Sequence, residues 1–218
     1  NNTLDNKNYL KNLIYSFKPS TIKKNPVLYV TIIGFAIFGI SIQVFMPYLI
    51  IYYEVSLGLK DYVLIMAPAI IIAGGITAFY GRLYDKLGFI KSAMPSLGAL
   101  ALGYVILTLS TNTILVFVGS LFMMTGYLTG MSVFGAMIRD YTPKNKAGAF
   151  QGIRIVGQVL IPGIVGPMIG AFALKGAEMM KNDDGTMSFI PNTNIFIAAL
   201  IVLCVAILSA VLIHVFAK

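Results

Sequence analysis

Three polar side chains stand inside an otherwise apolar run at 150–174: Gln151, Arg154 and Gln158. Their spacing puts all three on one face of a helix, and Pro162 continues that face. Two carboxamides and a guanidinium supply hydrogen-bond donors, acceptors and one fixed positive charge. That is chemistry for the wall of a solute cavity, with Arg154 meeting an anionic group or a buried carboxylate. The competing reading is that Arg154 lays its stem along lipid and carries its charge to the interface. Gln43 is the one amide in the middle of another apolar run, 27–53. Amide and ionisable groups in such runs are costly and mark function by default. Beyond Gln43 come Tyr48, Tyr52, Tyr53 and Glu54; Tyr52 and Tyr53 read as interface-belt aromatics. Thr125, Tyr127, Thr129 and Ser132 can bond the backbone of their own helix, which is their simpler reading.

A second set is ionic. Gly81-Arg82-Leu83-Tyr84-Asp85-Lys86-Leu87-Gly88-Phe89-Ile90-Lys91 places one acid among three bases. It reads as a tight loop in which Gly81 and Gly88 let the chain turn and Asp85 faces a helix N-terminus. Arg139-Asp140 repeats the pairing further on. A hydrolytic set is thinner. Ser132 follows Gly130-Met131, and His214 is the single histidine. One His and one Cys make no metal site. No G-x-x-x-x-G-K-[ST] loop is present, so ATP-driven pumping is not encoded. No cofactor is implied.

The elements that position these groups follow from composition. Of 218 residues, 58% are hydrophobic and 11% charged, against about 45–50% and about 25% in soluble domains. Too few charges remain to clothe a water-facing surface, so lipid is the solvent over most of it. A net charge of +8 would suggest nucleic acid in a soluble protein. Here the bases sit in short clusters between apolar runs, and no nucleic-acid partner is expected. Cys204 lies inside an apolar run, and no second cysteine exists for a disulfide.

Crossing a bilayer takes about 20 apolar helical residues. Six stretches qualify: 27–53, 62–80, 92–109, 113–138, 150–174 and 194–216. None alternates like a barrel strand, and helices are the only lipid-facing alternative. Gly58, Gly81, Gly88, Pro143, Gly185 and Pro191 fall where helices should end. Pro47, Pro68, Pro162 and Pro167 lie inside and predict kinks.

Lys and Arg set the orientation. One side carries Lys7, Lys11, Lys18, Lys23, Lys24, Arg82, Lys86, Lys91, Arg139, Lys144, Lys146, Arg154 and Lys218; the other carries Lys60, Lys175 and Lys181. Thirteen against three puts both termini in the cytoplasm. Before the first stretch, Tyr9, Leu10, Leu13, Ile14 and Phe17 share one helical face, and Asn8, Lys11, Asn12 and Ser16 the other. This predicts an amphipathic helix on the cytoplasmic leaflet, ended by Pro19. Lys23-Lys24 would then sit among anionic head groups. The first apolar run starts too late for a signal peptide. The chain opens Asn1-Asn2 without an initiator Met, which reads as a fragment or a processed product.

Gly81, Leu83, Asp85, Lys86 and Gly88 match the pattern G-x-L-x-D-[RK]-x-G, which resembles the signature loop of the major facilitator superfamily. Phe89 and Ile90 depart from it. Gly166, Pro167 and Gly170 resemble the family's fifth-helix GPxxG pattern, with Ala171 where a second Gly is usual; they read as a packing and hinge face. The resemblance covers essentially the whole chain. It implies an all-α membrane protein of six helices in inverted three-helix repeats. The fourth stretch lacks a mid-helix Arg, and a basic amphipathic segment precedes the first. Both suggest the family's C-terminal half, with 1–26 as the cytoplasmic linker and 27–218 as the membrane half. The resemblance implies secondary active transport by alternating access, and no enzymatic activity. Gln43, Gln151, Arg154 and Gln158 would line the path, and Arg82, Asp85, Arg139 and Asp140, turned by Gly81 and Gly88, would form an inner gate. The partners are the bilayer of the plasma (inner) membrane, the N-terminal half of the same transporter, a small solute, and a coupling H+ or Na+ bound in that other half. Two alternatives stand beside this. Ser132 and His214 resemble a rhomboid-type intramembrane serine protease, although Val133 replaces the expected Gly. A non-transporting membrane scaffold is the other.

Overall fold

Pro26 sits in the first turn of a helix, where its missing N–H is no loss, and from it runs the first of the long apolar helices. The computed structural model describes residues 18–143, 147–182 and 185–217. Among them six helices are long and apolar enough to cross a membrane: span one Pro26–Ser56, span two Val63–Leu87, span three Phe89–Leu109, span four Thr113–Tyr141, span five Phe150–Ala173 and span six Asn194–Phe216. The chain is therefore an all-α, multi-pass integral membrane protein. The amphipathic helix expected at 9–17 lies outside the described residues. Pro19, expected to end it, opens a short helix of its own, Pro19–Lys24.

The packing has an internal symmetry. Span three lies against four as span six lies against one, and span two lies against four as span five lies against one. Exchanging spans one, two and three with four, five and six maps these pairings onto themselves. The contacts of three with six and of one with four map onto themselves, and the contact of two with three maps onto that of five with six. This is the inverted three-helix repeat.

Glycines set how closely the helices approach, as expected where lipid gives no hydrophobic drive between them. A Cβ on Gly103 would meet the Met123 backbone nitrogen at 2.5 Å, and one on Gly126 would strike the backbone of Leu100, so spans three and four touch main chain to main chain. Gly130 makes room for Phe38, whose ring centroid lies 5.3 Å from that of Phe134.

The proline expectation splits. Pro47 falls in a 3-10 turn, Met46–Tyr48. Pro162 follows a π turn, Val156–Leu160, in which Ile161 N–H reaches back to the Val156 carbonyl. Pro68 and Pro167 stay inside continuous α-helix. Two other expectations are corrected. The stretch expected to stop at residue 80 runs on to Leu87, so most of the 81–91 loop is helix, Gly81 included. The turn is the single residue Gly88, with φ of 75°. Nothing before Gly88 breaks the helix, and Tyr84 gives that last turn a buried face. Tyr52 and Tyr53 are no belt aromatics: they are 2% and 0% exposed. A second π turn, Tyr52–Ser56, ends span one, and both hydroxyls find inward partners, Leu107 O at 3.3 Å and Ser120 Oγ at 2.6 Å. Between spans five and six a hairpin forms, β1 Met179–Lys181 against β2 Met187–Phe189, on a segment too short and too mixed to signal strands.

Spans one, three and six meet at one buried polar cluster. Ser41 Oγ donates to the Ala199 carbonyl at 2.8 Å, leaving it to accept from Tyr104 OH at 3.1 Å. Ser41→Ala strips two spans of their shared partner and leaves Tyr104 OH only the 3.4 Å contact to Ser41 O. The expected loss is about 1 kcal/mol, near the upper range for interhelical bonds in membranes. Tyr104→Phe keeps the Ser41–Ala199 bond and is expected to lose less. Unfolding in mixed micelles with rising SDS ranks the two, and the reverse order would show that this cluster does not join the spans.

Candidate functional site

The arginine-rich end of the bundle, where spans two and three turn at Gly88 and spans four and five connect, carries the polar chemistry. Arg154, on span five, is half-buried and points across to span four. Its Nη2 lies 3.8 Å from where a Cβ on Gly135 would stand, so the guanidinium rests on bare backbone. Arg154 Nε donates to Gln158 Oε1 at 3.3 Å, one helical turn on. Gln158 itself lies in the π turn that precedes Pro162. Pro162 has no N–H to offer the Gln158 carbonyl, which faces Gly39 of span one at 3.8 Å from a Cβ there. Widened turns of this kind recur at functional sites.

Two cavities meet at Arg154. The first, about 360 Å³, lies between spans one, four and five and is lined by Leu28, Ile32, Arg139, Thr142, Gln151 and Arg154 among others. The second, about 400 Å³, opens between spans two, four and five, with Asp85, Ser132, Gly135, Arg139 and Arg154 on its walls. Arg139 and Arg154 thus border both.

Arg139 is held by its chain neighbour. Its Nε and Nη2 each lie 3.1 Å from Asp140 Oδ1. Asp140 Oδ2 accepts from Tyr84 OH at 2.8 Å, which ties span four to span two. Tyr84 was missed in the sequence, although it stands between Leu83 and Asp85 in the motif itself. A tyrosine at a variable position carries no mark of its own, and only the buried face of the extra helical turn reveals it.

Of the ionic set, the structure brings Asp85 to the same cavity as Arg139, and joins Arg139, Asp140 and Tyr84. It does not bring Arg82 there. Arg82 is exposed and lies over the Phe79 ring at 5.9 Å. Arg82 and Asp85 stand three residues apart on one helix, a spacing that allows contact, yet no ion pair joins them. Asp85 has no ion pair among the described residues, and no capping bond is made at Gly88.

Of the polar set, Gln151, Arg154 and Gln158 stand together. Gln43 does not join them. It packs further along span one, its Cβ and backbone pressed on Gly166. Gly170 meets the Val44 carbonyl and the Tyr48 ring, and Tyr48 OH donates to the Pro167 carbonyl at 3.2 Å. Gly166, Pro167 and Gly170 thus form the crossing of spans one and five. Thr129 bonds the Thr125 carbonyl of its own helix at 2.6 Å. Ser132 lines the second cavity, whereas His214 lines another, with Tyr84, Asp85 and Asp140. A serine and a histidine in separate cavities do not form the hydrogen-bonded pair that a serine nucleophile needs.

The family model described as the Major Facilitator Superfamily matches residues 11–167. No match was found among curated proteins or among solved structures. The matched segment takes in the Gly81–Gly88 motif, the first four spans and span five as far as Pro167, and the chain belongs to the major facilitator superfamily, a family of membrane transporters.

Proposed function

We propose that this chain is the C-terminal six-helix half of a secondary active transporter that moves a small solute by alternating access. The observation that carries the reading is the Gln151–Arg154 face, which borders cavities at one end of the bundle while the close crossing at Gly166 and Gly170 lies beyond it. A polar site open to one side and closed to the other is what alternating access requires. The excess of Lys and Arg makes the open side cytoplasmic, and both termini lie there in the plasma (inner) membrane. Asp85, Arg139 and Asp140 serve as the inner gate, with Tyr84 in the place first given to Arg82. The half-transporter reading draws support from spans two and five, which are only 17% and 22% buried against 61% for span one. On span two Gly74 and Gly75 meet nothing within 4 Å, and such small residues suit a close helical partner, here the N-terminal half. No acid lies mid-span among the described residues, so a carboxylate coupling H+ or Na+ belongs to that half.

Reciprocal thiol labelling tests alternating access. In the intact transporter containing this chain, with Cys204 replaced by Ser, cysteines are placed at Ser132 in the gate-side cavity and at Thr111 at the opposite end. A membrane-impermeant maleimide is applied from each side, with and without transported solute. Solute is expected to move the two labelling rates in opposite directions. Rates that stay fixed, or move together, would reject the mechanism and favour a non-transporting scaffold.

A further inference from the structure

We infer that the site at the arginine-rich end takes an anion, a carboxylate or a phosphate, gripped by Arg154 with Arg139 at the rim; this assignment of solute class rests on the transport reading above. Among the described residues the first cavity is walled by two guanidiniums and by no carboxylate. Its neutral polar groups among those residues are Gln151 and Thr142. A sugar needs acceptors as well as donors around its hydroxyls, and this wall is mostly donors. A cation would meet two like charges.

A guanidinium carries five N–H donors, and among the described residues Arg154 makes one hydrogen bond, a 3.3 Å contact to a neutral amide. Among the described residues no carboxylate oxygen lies within 4.0 Å of it. Asp140 is taken up by Arg139 on one oxygen and Tyr84 on the other. Asp85 borders the adjoining cavity without reaching Arg154. A half-buried charge without a counter-charge is unfavourable in a span, and an incoming anion supplies what is absent. Beyond the bond from Nε to Gln158, the guanidinium N–H groups carry no hydrogen bond to the described residues, so the planar fork is free for two parallel bonds to carboxylate or phosphate oxygens. Arg139 keeps part of its own fork for the same ligand, because Asp140 occupies only one edge of it.

The probes are succinate and inorganic phosphate, with glucose as the neutral and tetraethylammonium as the cationic comparison. The intact transporter is placed in phosphatidylcholine nanodiscs, and thermal unfolding is followed against ligand concentration. Succinate or phosphate is expected to raise the unfolding temperature, and the two comparison compounds are not. Arg154→Gln should weaken the anion effect about tenfold to a hundredfold, the range for losing charged hydrogen bonds. Arg154→Lys should retain part of it, and the unliganded unfolding temperature shows that both variants fold. Adding phosphatidylglycerol to the discs separates solute from lipid: if it removes the anion effect, the site holds a headgroup phosphate and the solute assignment falls. The inference is also overturned if neither anion shifts unfolding, or if Arg154→Gln leaves the shift intact. Anion binding that survives while reciprocal labelling fails would reject transport and keep the site.

Discussion

Replacing Gly126 with alanine is expected to destabilise the bundle by about 3 kcal/mol, the upper range for overpacking, and replacing it with leucine is expected to leave no monodisperse protein. The reason is the kind of atom that the new side chain meets. A Cβ at 126 would strike the backbone nitrogen and Cα of Leu100, the Cα at 2.7 Å, and no rotamer change can move backbone aside. Spans three and four would have to separate along their seam, and Gly103 against Met123 and Gly119 against Leu107 would open with it. In lipid this loss is not offset by hydrophobic burial elsewhere, because the pulled-apart faces are solvated by acyl chains as well as by each other. Gly98→Ala is the matched control. It lies on the same span three with nothing within 4 Å of its Cβ position, and alanine there gains helix propensity of up to about 1 kcal/mol. Size-exclusion profiles and SDS unfolding of the two variants decide the matter. Equal behaviour of Gly126→Ala and Gly98→Ala would mean that the seam is looser than its geometry.

The contrast between those two glycines also marks what the sequence can disclose. Both look alike in the apolar pattern, and only the neighbouring span tells them apart. The six spans were legible because length and hydropathy are properties of one segment at a time. The charge asymmetry was legible for the same reason. Where helices end was less so: Gly81 looks like a breaker, yet a helix tolerates one glycine when Tyr84, a turn later, has a buried place to go. Tyr52 and Tyr53 resembled belt residues because aromatic identity near a span end fits both roles. The partners that settle it, Leu107 and Ser120, are more than fifty residues away. In the candidate site, Gln151, Arg154 and Gln158 were readable from helical spacing alone. Gln43 was not separable from them, since its distance along span one depends on how spans one and five cross at Gly166. Gly135 and Tyr84 gave no signal, because one acts by lacking a side chain and the other by a bond across spans.

Asp85→Asn is expected to cut solute uptake to below about a tenth of the parent rate while leaving expression and folding unchanged. Asp85 stands on the wall shared by Arg139 and Arg154 but holds neither. The present link across spans two and four is the neutral-donor bond from Tyr84 to Asp140. The Arg139–Asp140 pair is exposed at 66% and 41% and joins residues adjacent in the chain. Pairs of that kind contribute little to stability, so Arg139 is free to change partner. Under the alternating-access mechanism proposed above, closing the cytoplasmic side would narrow the second cavity and bring Asp85 onto a guanidinium in a drier setting, where such a bond is strong. Asparagine keeps the shape and removes the charge. Losing one charged hydrogen bond in the closed state shifts the balance of the two states about tenfold to a hundredfold, leaving the carrier resting open to the cytoplasm. The shift should be visible without substrate: a cysteine at Ser132 should label faster and one at Thr111 more slowly. Arg139→Gln should act in the same direction, and the double variant should be no worse than either single one, since both remove one interaction. Arg82→Gln should change little, because Arg82 faces Phe79 rather than the gate. Normal uptake by Asp85→Asn, or a loss with Arg82→Gln as large as with Asp85→Asn, would mean that the gate is built from other residues.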